Sequence, residues 1–469
     1  MASHHPNSDR PSLEKWQRVV RFTRMAHALK PPDKSGLPVP EVRVCAFTTC
    51  SVGGGKVFSL SGQRRKPYVP RDEEYYTIMY DEEPRTSTAK RAEYKRSGMS
   101  RMAENLPHGL DLANWMGDLP PDLLTIPLMD LAIPGTHDSG SFYLDKTFDL
   151  QGNWLTKILE WLLLKIINSE ALNILGLTVN DVVYNWSVTQ RDIGFRGQLN
   201  IGVRYFDLRV AWIESDQGGS FYFVHGLHGS QVKMAMEEIA EWLNTHPKEV
   251  VLLDFNHFYI TDTRTKQKSQ DKEEFPHDKL IKILEKTFKG MLYKKPKVPK
   301  PGDVTLKKLI GNKHQVIVFY KNKAAADKNH LWIDIDSPWP LGNGTTDVKK
   351  MIKFLSDNVE ERGKNLNPSK IEFYVSQAIL TPDAPTIVGN LGHSLKSVLA
   401  TPAMPHILEW LKGQRSQSGS KLKGLNIVIA DFVDLDFLLA VIKLNYPVSK
   451  PASSSAAQGE GGSTEEAST

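Results

Sequence analysis

Cysteine is nearly absent from this sequence: Cys45 and Cys50 are the only two in 469 residues, and both stand near the start. The rest of the chain has neither a disulfide framework nor a thiolate cage, so its fold must rest on apolar burial. A strong excess of one charge is also missing. Lysine and arginine number 59 against 54 acidic residues, a net charge of +5. That is too sparse for the basic stripe of a nucleic-acid binder, though it permits attraction to an anionic membrane. The opening residues MASHHPNSDRPSLEKW lack the apolar core of a secretory signal, which makes a cytoplasmic location the expectation. No uninterrupted apolar run is long enough to cross a bilayer. Residues 153–177 come nearest, but Lys157, Glu160 and Lys165 interrupt them. Each such charge at bilayer depth costs about 2.5–3.5 kcal/mol. The stretch reads as an amphipathic helix over 154–167 with a broad apolar face.

What is present divides the chain in three. Residues 1–105 are rich in Pro, Gly, Ser and charge with weak periodicity, and read as a largely disordered basic extension; 447–469 read as a disordered tail. Between them, 106–446 form one block in which β-rich apolar runs alternate with amphipathic stretches. Strands are expected at 128–135, 202–212, 221–226, 249–255, 314–320, 371–379 and 425–432, and helices at 231–246, 277–288, 348–362 and 404–413. Continuously apolar strands interleaved with helices indicate a parallel sheet covered on both faces. About seven such strands in one block, with no glycine-rich dinucleotide fingerprint after the first, favour an α/β fold of the (β/α) TIM-type barrel, distorted or incompletely closed.

Polar and titratable residues cluster at the strand ends: His137 and Asp138 after the first, Asp207 and Arg209 in the second, His225 at the third. Asn256, Lys321, Gln377 and Asp431 follow on the later ones. In a β/α barrel these ends converge on one face, so residues scattered in sequence become one constellation. Blander roles are available. Asp207 and Arg209, two apart on a strand, could be a buried ion pair; Asp431 could cap the following helix; His228 rivals His225; Trp186 and Gln190 suit packing and loop fixing.

IPGTHDSG, then WSVTQRDIGFRGQLNIGVRYFDLRVAW, then FVHG and EVVLLDFNHF, resemble the X domain of phosphatidylinositol-specific phospholipases C, and most of all the small eukaryotic X-domain-containing proteins. The likeness spans roughly 107–446. It implies that His137 is the general base on the inositol 2-hydroxyl and that His225 protonates the departing diacylglycerol oxygen. It further implies that Asp431 orients the first histidine and Asp138 supports the second. Arg209 matches the arginine of bacterial members, where calcium-dependent members carry a carboxylate ligand. Asn256 departs from both patterns but is expected to bind substrate with Lys321 and Gln377, which fall near positions that hold the inositol ring.

The chemistry asks for such a set independently. Breaking a phosphodiester with an internal hydroxyl needs one proton taken and one given, and imidazole suits both steps near neutral pH. A guanidinium can bind two non-bridging oxygens at once. The expectation is a two-histidine phosphodiesterase acting on inositol phospholipids, with no cofactor and no need for calcium. It would be a monomer that binds no nucleic acid and meets the membrane surface peripherally through helix 154–167. Competing possibilities are a metal-dependent glycerophosphodiester phosphodiesterase and an inactive inositol-lipid-binding protein.

Overall fold

The computed structural model describes residues 111–146, 175–190, 193–214, 218–262, 268–269, 275–416 and 424–446. The expected extension 1–105, the tail 447–469 and the apolar helix 154–167 lie outside the described residues. The strands are β1 (Ile133–Thr136), β2 (Tyr205–Glu214), β3 (Ser220–His225), β4 (Leu227–Gln231), β5 (Val251–Asp262), β6 (Lys268–Ser269), β7 (Val316–Tyr320), β8 (Ile335–Asp336), β9 (Phe373–Ala378) and β10 (Ile427–Ala430).

β1 lies between β10 and β2, β2 adjoins β5, β5 adjoins β7, and β8, β9 and β10 follow one another, all parallel. Between β7 and β9 the ring narrows to the segment 332–336. Trp332 bridges Phe319 on one side, and Ile335–Asp336 pair with Phe373–Tyr374 on the other. The result is a distorted TIM-type barrel.

Period-two alternation gives each barrel strand an inward and an outward face. Phe206, Leu208, Leu253, Phe255, Val318 and Val428 face outward into the layer packed by the helices. Ile133, Tyr205, Leu252, Ile317, Phe319, Val375, Ile427 and Ile429 form a second, interior cluster. Further along the same inward register the residues become polar: His137, Asp207 and Arg209, Asp254 and Asn256, Lys321, Gln377, Asp431. The barrel thus has an apolar floor and a polar mouth. Burying each large floor side chain contributes about 1.5–3 kcal/mol.

The outer layer comprises α1 (Val179–Ser187), α2 (Phe195–Asn200), α3 (Val232–Thr245), α4 (His277–Thr287), α5 (Leu306–Gly311), α6 (Lys323–Asn329), α7 (Val348–Asn365), α8 (Ala384–Gly389), α9 (Thr401–Ser416) and α10 (Leu435–Lys443). α3 illustrates why they form: Val232, Met236, Ile239, Ala240 and Leu243 recur on one buried face. Local caps set the starts. Thr178 and Asp181 make a capping box at α1, and Asp434 accepts the Phe437 N–H at α10. That cap is Asp434, not Asp431, which leaves Asp431 available to the mouth. No helix among the described residues is long and apolar enough to cross a membrane.

Two expectations need correction. The first strand begins at Ile133 rather than 128, because Leu128–Asp130 is a 3-10 turn whose Leu128 and Met129 plug the bottom of the barrel. The run 221–226 is not a parallel barrel strand. β2 continues beyond the ring, and β3 returns antiparallel along it (Val210↔Phe223, Ile213↔Ser220) before pairing with β4. Apolar content alone cannot distinguish these cases, since both strands are buried. Because β3 runs back toward the ring, its last residue, His225, still arrives at the mouth.

Candidate active site

The loop after β1 carries the first functional group. Gly135 lies so close to the floor that a Cβ there would come within 2.8 Å of Ile429 Cγ2 and of the Tyr205 ring. A Cβ on Gly140 would come within 2.4 Å of Phe223. Two glycines in IPGTHDSG therefore let the loop lie flat on the barrel rim. Between them Asp138 adopts a positive φ of 39°, a conformation that other bonds must hold. Its N–H donates to Asp207 Oδ2 (2.9 Å), and the Ser139 N–H donates to the Asp207 carbonyl (2.8 Å). Thr189 Oγ1 donates to the carbonyls of His137 and Asp138, and Gln190 Nε2 to those of His137 and Ala430. WSVTQ is thus a loop-fixing segment, as its composition suggested.

His137 is held at both ring nitrogens. Nδ1 lies 2.7 Å from Asp431 Oδ1, and Nε2 lies 2.8 Å from Arg209 Nη2. A guanidinium can only donate, so Nε2 presents its lone pair and the ring proton sits on Nδ1, facing Asp431. Burial pushes the His137 pKa down, but Asp431 and then Asp207 more than offset burial and Arg209, leaving it above the ordinary histidine value.

His225 stands across from it, ring centroids 5.9 Å apart and nearly perpendicular. Its Nδ1 donates to the Ser187 carbonyl at the end of α1 (2.6 Å) and lies 3.4 Å from Asp138 Oδ2. Burial, with Arg209 and His137 nearby, pushes its pKa well below the ordinary value. Burial also raises the Asp138 carboxyl to about 7, against the pull of Arg209, 3.6 Å away. For Asp207 burial is outweighed by Arg209, His137, Asn256 and the Asp138 N–H, and its pKa falls.

The sequence-derived set is therefore mostly one cluster: His137, Asp138, Asp207, Arg209, His225 and Asp431 are all buried and in mutual contact. Asn256 joins it through Asp207. Gln377 is buried and ties its Nε2 to the Ser337 carbonyl. Lys321 is exposed at the end of β7. His228 lies on β4, where its carbonyl accepts the Asp145 N–H, and His246 stacks on Trp242 at 3.8 Å.

One site residue escaped the sequence. Trp339 leans over His137 (5.5 Å) and Arg209 (6.0 Å), steadied by Nε1 donating to Thr381 Oγ1. It follows β8, whose two residues are too short to read as a strand, so the strand-end rule had nothing to attach to; the only signal was an aromatic between two prolines in SPWP. Among the described residues no group of three or more His, Cys, Asp or Glu is arranged to hold a metal ion.

No protein-family model matches the chain. PI-PLC X domain-containing protein 3 of Homo sapiens is 36% identical over 338 residues, covering 72% of this chain and 94% of that protein. PI-PLC X domain-containing protein 2 of Mus musculus is 36% identical over 334 residues, covering 71% and 87%. Among solved structures, a phosphatidylinositol-specific phospholipase C from Staphylococcus aureus aligns at 15% identity over 72% of this chain and 98% of that one, with a TM-score of 0.48. With 36% of residues shared over nearly the whole of its relatives, this chain belongs to the family of PI-PLC X domain-containing proteins.

Proposed function

We propose that the chain is a phosphodiesterase that cleaves phosphatidylinositol-type lipids on the glycerol side of the phosphate. The observation that carries this is the imidazole pair, one ring with a lone pair at Nε2, the other facing it, and a guanidinium beside them. His137 Nε2 takes the proton of the inositol 2-hydroxyl, whose oxygen attacks phosphorus. The bond from phosphorus to the glycerol oxygen breaks, and that oxygen leaves with a proton from His225 as diacylglycerol. A cyclic inositol phosphate results, which water opens by the reverse proton movements. Because the nucleophile belongs to the substrate, the step is intramolecular, worth about 7–11 kcal/mol when well oriented.

Each neighbour then has a defined task. Asp431 holds the tautomer of His137 and stabilises the imidazolium that forms. Arg209 swings from His137 Nε2 to the non-bridging phosphate oxygens, where charge builds up. The depressed pKa of His225 reflects burial and adjacent cations; a bound diester anion offsets that field and favours its protonation. With Nδ1 committed to Ser187, the second proton goes on Nε2. Asp138, at about 7, is a second store for the same proton. Trp339 forms an apolar wall for one face of the ring, with Gln377 and Lys321 as polar contacts at its edge. Arg209 supplies the charge that calcium would otherwise bring, so we propose a metal-independent reaction.

The test is incubation of purified chain with phosphatidylinositol vesicles and identification of both products. Diacylglycerol together with cyclic or acyclic inositol phosphate is expected. A folded chain that binds the vesicles without turnover would instead be a lipid-binding protein.

A further inference from the structure

Directly beneath the histidine pair lies a hydrogen-bonded column with no part in the proton transfers above. The Tyr205 hydroxyl donates to Asp254 Oδ2 (2.6 Å), and both residues are buried. Asn256 Nδ2 reaches the same oxygen (3.3 Å) and also Asp207 Oδ1 (2.6 Å). Asp207 uses its other oxygen to hold the Asp138 N–H, in the loop whose φ is positive. The column exists because of a bulge. The β2–β5 register runs Leu208↔Phe255 and then Arg209↔His257, so Asn256 has no partner across the ladder. A bulge of this kind re-aims one side chain; here it is directed at two carboxylates.

We propose that Asp254 is a positioning residue for the diester cleavage proposed above: with Tyr205 below and the Asn256 amide above, it fixes Asp207, and Asp207 fixes the loop that carries His137 and Asp138. Asn256 is a link in that column rather than a grip on the inositol ring. Both amide hydrogens go to carboxylates, and its oxygen meets His257 Nδ1 at 2.6 Å, which leaves no donor for a substrate hydroxyl. The groups facing Asp254 are Tyr205, Asp207, Asn256 and, from the end of β7, the charge of Lys321.

This inference rests on the phosphodiesterase assignment, and the test separates the two. In Asp254→Ala, kcat for phosphatidylinositol should fall roughly 10- to 100-fold with KM little changed, the scale on which a displaced catalytic group costs rate. Tyr205→Phe keeps the ring and loses one hydrogen bond, for a fall of about 2- to 10-fold. Asp254→Asn keeps an oxygen for both donors and should recover most of the rate, while the acidic limb of its pH profile moves to lower pH. Removal of a negative charge favours neutral His137, which a purely space-filling role for Asp254 would not do. Wild-type kcat in Tyr205→Phe together with an unmoved limb in Asp254→Asn would overturn the proposal, even if Asp254→Ala does not fold. If the wild-type chain cleaves no phosphatidylinositol, the activity assignment fails instead. The His137 imidazole titration, followed by NMR in wild type and Asp254→Asn, then decides the positioning role without turnover. A downward shift supports it, and identical curves overturn it.

Discussion

Two arginines five residues apart, Arg204 and Arg209, occupy opposite ends of the barrel and opposite kinds of environment. Arg204, fully buried at the bottom, is saturated. Its Nε donates to Glu249 Oε2 (2.8 Å), Nη1 to the carbonyls of Leu199 and Val203, and Nη2 to those of Leu112 and Ala113. Glu249 in turn accepts the N–H groups of Met116 and Gly117, and Trp242 lies 4.8 Å from the guanidinium. Among the described residues, Arg209 Nε at the mouth makes no hydrogen bond, and neither do the two oxygens of neighbouring Asp138. The bottom pair has every polar group matched, which offsets much of the cost of burying the two charges. The mouth leaves bonding capacity unused among crowded charges, which stability does not favour and which a charged substrate could complete. The same residue types thus serve closure of the barrel in one place and, in the function proposed above, chemistry in the other.

Removing the imidazoles should separate the two ends most sharply. His137→Ala and His225→Ala should each lower phosphatidylinositol turnover by ~10²–10⁴-fold while thermal unfolding stays near wild type. Near-wild-type cleavage by both folded variants would end the two-histidine mechanism. Exchanging the arginines comes next. Arg204→Met strands Glu249 and should cost about 3–5 kcal/mol in urea denaturation, with little effect on kcat of the folded fraction. Arg209→Met should do the reverse, lowering kcat by ~10²–10³-fold. Its stability should barely change, because Asp138, already at about 7, can take up a proton when the cation goes. Similar stability losses in both variants would erase the contrast between the two ends.

The pH profile offers a smaller but directional effect. His137 must be neutral to act as base, and Asp431 beside it raises its pKa above the ordinary histidine value. Activity should therefore be lost as pH falls, through a limb displaced upward from that of an ordinary histidine. Asp431→Asn removes the chief factor raising that pKa, so the limb should move to lower pH even as the rate falls; a limb that stays fixed would detach Asp431 from His137. The smallest effect expected is that of a chelator. Initial rates in excess chelator should match those without it, and loss of rate with recovery on adding calcium would displace Arg209 from its assigned role.

Much of the mouth was legible because its signals are local. GTHDS, FDLR and VHG place polar residues just past apolar runs; barrel strands carry the first two to one end, and the antiparallel return of β3 brings the third there. That β1 closes the ring beside β10 suits the alternation of strand and helix, whereas β2 beside β5 did not follow from it, since 221–226 read as the barrel strand between them. Trp339 was not legible, since β8 has two residues and no periodicity. The antiparallel return of β3 was hidden because its burial resembles that of a barrel strand. Tyr205 and Asp254 read as ordinary members of apolar strands, and only the bulge at Asn256 reveals that they face a carboxylate.

By itself the sequence determined which residue types stand at the strand ends and which face of each strand is apolar, because alternation and strand length are properties of a few consecutive residues. The resemblance already paired Asp431 with His137 and Asp138 with His225; only the tertiary structure brings each pair into contact and joins Asn256 to Asp207. His137 and Asp431 are 294 positions apart, and Asn256 and Asp207 are 49 apart. A hydrogen bond tolerates errors of only a few tenths of an ångström. Such pairings depend on the closure of the ring, on one bulge, and on two glycines that let a loop settle against its floor.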